Sequence, residues 1–97
     1  MKKTDVIKYL DQLVDGHKAY MAACDDIWNV HVFIHNSFAI HVDDHIQILA
    51  EAVGQILNLY PRDSSNFMYE HSFTYKDVRF FQIDNHEELP EVVWDAD

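Results

Sequence analysis

Residues 68–83 read Met68-Tyr69-Glu70-His71-Ser72-Phe73-Thr74-Tyr75-Lys76-Asp77-Val78-Arg79-Phe80-Phe81-Gln82-Ile83. Tyr69, His71, Phe73 and Tyr75 alternate with Met68, Glu70, Ser72 and Thr74, the period of a strand with two unlike faces. Lys76 and Asp77 suit a two-residue turn, and Val78 to Ile83 is again strand-like. Pairing Tyr75 with Val78 gathers Tyr69, Phe73, Val78 and Phe80 on one face, and Glu70, Thr74, Arg79, Phe81 and Ile83 on the other. The stretch predicts a hairpin whose first face needs a cover, and His71 on that face reads as a satisfied core or boundary histidine.

Before this hairpin, Ile46, Leu49, Ala50, Val53, Ile56, Leu57 and Tyr60 hold helical spacing until Pro61. Asp44 is placed to cap this helix, with Gln47 reaching back. Gly54 marks either a close-packing point or an earlier end. Further upstream, Trp28, Val30, Val32 and Ile34 alternate with Asn29, His31, Phe33 and His35, and Phe38, Ile40 and Val42 alternate with Ala39 and His41. A three-residue turn at His35-Asn36-Ser37 gives one wholly apolar face and sets His31 directly across from His41, with β-carbons roughly 5 Å apart. The N-terminal segment repeats apolar residues at Val6, Leu10, Leu13, His17, Tyr20 and Cys24, with Ile7, Val14 and Met21 beside them. It reads as an amphipathic helix capped by Thr4, which Gly16 could end early. The expectation is a single domain, residues 1–97, of α+β class. Its order is α-β-β-α-β-β, a two-layer arrangement with an antiparallel sheet of two hairpins, two helices on one face and an acidic C-terminal tail.

Four of seven histidines and two aspartates fall between residues 31 and 45. Zinc takes three or four N, O or S ligands at about 2.0–2.3 Å, and cross-strand His31 and His41 can offer two nitrogens. Asp43, in the parity of His41, and His45, in the next helix's first turn, can complete the set. The site would be a structural zinc, useful to a small core under self-repulsion. The alternative is that these are ordinary histidines on a solvated face.

The net charge is -10, with 7 bases against 17 acids. Residues 19–61 contain no Lys or Arg, and from Asp84 onward Asp84, Glu87, Glu88, Glu91, Asp95 and Asp97 have no basic companion. Such a surface repels phosphate, which argues against direct nucleic-acid or anionic-membrane binding and for a basic protein partner. Candidate contact residues are Asp25, Asp26, Asp84, Glu87, Glu88, Glu91 and Asp95, with Phe33 and Phe81 as apolar contributors on the outer sheet face. Acids at Asp5 and Asp11 interrupt any signal-peptide core, no apolar run approaches a membrane span, and Cys24 has no disulfide partner; a cytoplasmic location is expected. Asp25 and Asp26 disfavour a Cys24 thiolate. Only two glycines are present, too few for a phosphate-binding loop, and the serines lack a nucleophile elbow, so no enzyme is expected.

A chain of this size and charge, with acidic stretches at residues 25–51 and 84–97 and aromatics among them, resembles the phage-encoded inhibitors of bacterial defence nucleases, anti-CRISPR proteins included. The resemblance implies a mechanism in which carboxylates occupy the Lys and Arg positions of a Cas nuclease that otherwise hold DNA phosphate, in the host cytoplasm. It carries no site residues across. An immunity protein or antitoxin against a basic toxin, and a metal-dependent enzyme using the His31–His45 cluster, are the competing readings.

Overall fold

The computed structural model describes residues 1–26, 39–63 and 66–96. Among these residues six elements follow one another: α1 (Lys3–Asp26), β1 (Ala39–His41), α2 (Ile46–Ala52), β2 (Asn58–Pro61), β3 (Tyr69–Tyr75) and β4 (Val78–Asp84). The class is α+β, two helices with a four-stranded sheet of order β1-β4-β3-β2. The sheet is mixed, not antiparallel as expected, because β1 runs parallel to β4 with Ile40 opposite Phe80. Most of the expected first hairpin, including the His31–His41 pairing, lies outside the described residues. Among the described residues, no helix is long and apolar enough to cross a membrane.

The β3–β4 hairpin has the expected register, Tyr75 against Val78 and Phe73 against Phe80. Lys76 and Asp77 both take positive φ, 49° and 67°, the turn whose twist matches the flanking strands. On the inner face Phe73 and Phe80 stack with centroids 5.0 Å apart, and both are fully buried. Val6, Leu10 and Val14 of α1 and Ile46, Ala50 and Ala52 of α2 complete this core with Val78. Outside it stand Leu13 and Tyr20, about half exposed, although their spacing suggested the inward stripe. The helix turns Val14 inward instead. Gly16 does not end α1, and a β-carbon there would meet nothing within 4 Å.

α2 is half the expected length. Gly54 has φ +71°, Gly54 N–H donates to the Glu51 carbonyl and Gln55 N–H to the Ala50 carbonyl at 2.9 Å. These are the two bonds of a Schellman stop, so Gly54 is the terminus and not a packing point. Residues 58–61 form β2 at the sheet edge in place of the helix's last turns. Arg62 N–H donates to the Met68 carbonyl, and ladder alternation from that bond turns the backbones of Leu59 and Pro61 outward. Proline without an N–H on an outer edge blunts pairing with another chain.

The N-terminus of α2 also departs from the sequence expectation. Asp44 Oδ1 accepts the His45 amide, 2.8 Å away, but His45 is itself the N-cap, at φ 67°, with no side-chain cap bond. The first helical amide, Ile46 N–H, donates instead to Gln82 Oε1 of β4 at 3.0 Å. The cap of α2 therefore comes from a strand 36 residues away in sequence.

Candidate functional site

Gln82 begins a buried polar chain on an otherwise apolar sheet face. Its Nε2 donates to Asp84 Oδ2 at 2.8 Å, and His71 Nδ1 lies 2.9 Å from the same oxygen. His71 Nε2 is 3.4 Å from the Glu87 carbonyl, so both ring nitrogens face oxygen acceptors. The His86 amide donates to Asp84 Oδ1 at 2.9 Å. The Asp84 side chain is only 12% exposed and already accepts three bonds. Asp84, expected from the sequence to meet a partner, thus has three of its acceptor positions engaged within the chain. His71, 3% exposed, is the core histidine its parity suggested.

This network fixes the start of the segment after β4, and a second set of contacts fixes its end. Leu89 and Trp94 pack on the core. Trp94 Nε1 donates to Glu51 at 3.1 Å, and Lys3 Nζ lies 5.9 Å from the Trp94 ring centroid. Asp95 bonds the Met1 amine through its carboxylate and the Met1 carbonyl through its N–H, and bridges in parallel to Lys2. Asp95 is thereby partly neutralised. Between the anchors Glu87, Glu88 and Glu91 are exposed. Asp25 and Asp26 belong to the last turn of α1, and Phe33 lies outside the described residues.

On the outer sheet face Phe81 is half-buried between two cation-capable groups. The His41 ring stacks on it at 4.7 Å and an interplanar angle of 5°, and the Arg79 guanidinium lies 5.0 Å from its centroid. Arg79 donates to Glu70 at 2.7 Å. Ile83 shares this face, as its parity indicated.

Of the proposed zinc ligands, His41 is in that stack, Asp43 is exposed, and His45 Nε2 lies 3.6 Å from Asp44. Among the described residues no three His, Cys, Asp or Glu groups are gathered for a metal ion, and His31 is not one of those residues.

A third buried-to-surface link joins α1 to the hairpin turn. Tyr75 Oη donates to Asp11 Oδ1 at 2.6 Å, and Lys76 Nζ lies 2.9 Å from the same oxygen. The Tyr75 hydroxyl first, then Lys76, holds the Asp11 carboxyl below its usual range, while Asp11 raises both Tyr75 and Lys76.

Between α1 and α2 lies an open cavity of about 300 Å³, walled by Val6, Tyr9, Leu13, Ile48 and Leu49 with Asp44 and His45 at its edge. Its signal was a row on α1 made of Tyr9, which the apolar repeat left out, and Leu13, which the repeat placed in the core stripe. Comparison of the chain with family models, with curated proteins and with solved structures finds no match.

Proposed function

We propose that this chain is a small, non-catalytic acidic binding protein that covers the cationic surface of a basic nucleic-acid-handling protein, a Cas nuclease being the partner class it fits best. The observation that carries this reading is the held geometry of residues 85–96. Glu87, Glu88 and Glu91 stand exposed on a segment fastened at one end by the His71–Asp84–Gln82 chain and at the other by Trp94 and Asp95. Carboxylates on a fixed segment lose less freedom on binding than carboxylates on a loose tail. They can then stand where a target's Lys and Arg side chains would hold phosphate.

The test is association with purified Cas nucleases, read as on-rate against salt and as loss of target-DNA binding. Electrostatic encounter predicts a steep fall in on-rate with rising salt, and a Glu87→Gln, Glu88→Gln, Glu91→Gln triple variant slower by about tenfold or more at low salt. Salt-independent association, or unchanged potency of the triple variant, refutes the proposal. Selective neutralisation of a basic toxin in place of a nuclease assigns the antidote role.

A further inference from the structure

We infer that the cleft between α1 and α2 is a second contact of the same binding protein, receiving the apolar face of a basic amphipathic helix of the partner; this rests on the partner-binding reading above. Tyr9 is 60% exposed and Leu13 49%, an amount of apolar surface on one helix that the core has no use for. They form one wall, and Ile48 and Leu49 the other. At about 300 Å³ the cavity is at the small end of ligand sites and suits one or two anchor side chains. A groove between two helices accepts a third through anchors one turn apart.

Charge selects the occupant. Among the described residues that line the cavity the acidic side chain is Asp44, 72% exposed beside an exposed Asp43, and none is a Lys or Arg. Met1 also lines it, with its amine engaged by the Asp95 carboxylate. A basic residue one turn from the anchor would meet Asp44 at the edge, where its exposure lets the pair form without burying either charge. An acidic helix of the same apolar content would meet repulsion there and from the chain's net charge of -10. Central apolar anchors within a charged rim are the usual division between affinity and selectivity at interfaces.

The experiment is a backbone-amide NMR titration of the full chain with a synthetic leucine–lysine amphipathic peptide and its leucine–glutamate counterpart. The expected result is shifts at Tyr9, Leu13, Ile48 and Leu49 with the lysine peptide and little response to the glutamate peptide. Leu13→Gln should weaken the lysine peptide about tenfold, the loss of roughly half a leucine's burial, in a variant that still unfolds in one cooperative transition above the titration temperature. Lysine-peptide shifts confined to Glu87–Glu91 would overturn the groove and leave the acidic-surface reading standing. Silence at both places would overturn both. Equal response to the glutamate peptide, or the same shifts from phosphatidylcholine vesicles alone, would overturn the basic-helix occupant.

Discussion

Replacing Gln82 by Met keeps the length and volume of a fully buried side chain and removes its two polar ends. The Ile46 amide, on a residue with no exposed surface, then loses its acceptor at 3.0 Å, and Asp84 loses a donor at 2.8 Å. An orphaned buried amide costs about 1–3 kcal/mol, and a lost hydrogen bond to a carboxylate about 1.5–3 kcal/mol. Apolar burial of the thioether returns about 1 kcal/mol, since the side-chain stem is buried in either case. The net destabilisation is about 3 kcal/mol, roughly 12–24 °C in Tm for a domain of this size. Urea unfolding at constant m-value measures it, and amide exchange at Ile46 locates it, since opening there should exceed the global change. The comparison variant is Asp44→Ala, which removes the cap expected from sequence. Asp44 and His45 are both exposed, so its cost should stay within about 0.5–1 kcal/mol. If Asp44→Ala proves the more damaging change, or Gln82→Met lies within about 1 kcal/mol of the parent, the strand-supplied cap is refuted.

Gly16→Ala should stabilise by about 0.5–1 kcal/mol, because the position is inside α1 and the added methyl meets no atom within 4 Å; thermal unfolding shows the rise. Gly54→Ala should destabilise by about 1–2 kcal/mol, because φ +71° is a left-handed geometry that a β-carbon opposes; loss of helical circular dichroism at lowered temperature is the readout. The Asp11 contacts lower that carboxyl, so their stabilisation is fully present above the ordinary aspartate range, near pH 4, and is lost as pH falls through the lower folded value. Asp11→Asn should therefore flatten the acid limb of urea midpoints followed from about pH 2 to pH 6. On the alkaline side Tyr75 and Lys76 are raised, so their contribution holds below about pH 10 and fades as pH climbs through the raised values.

How far the chain's pattern carries depends on whether the information is local. The 68–83 hairpin was legible to the residue, since period-two alternation and a two-residue turn together fix one register. Gly54 was legible as an alternative, but residues 56–60 keep helical spacing and only the left-handed glycine shows that the spacing is not used. β1 was readable as a strand, whereas its parallel alignment with β4 was not, because a three-residue strand carries no mark of its neighbour's direction. Among candidate contact residues, sequence singled out Glu87, Glu88 and Glu91 together with Asp84. A carboxylate beside a buried histidine looks the same in a sequence as one in water, and burial alone tells Asp84 from the others.

The two-sided hairpin, the amphipathic character of both helices and a net charge of -10 are written into the chain, all consequences of side-chain chemistry at fixed local spacing. Packing, by contrast, settled that Gln82 caps a helix 36 residues away, that Val14 and not Leu13 enters the core, and that the last acidic segment is fastened at both ends. The reason is the same each time. Burial and hydrogen-bond partners are properties of two segments meeting, and local periodicity describes only one.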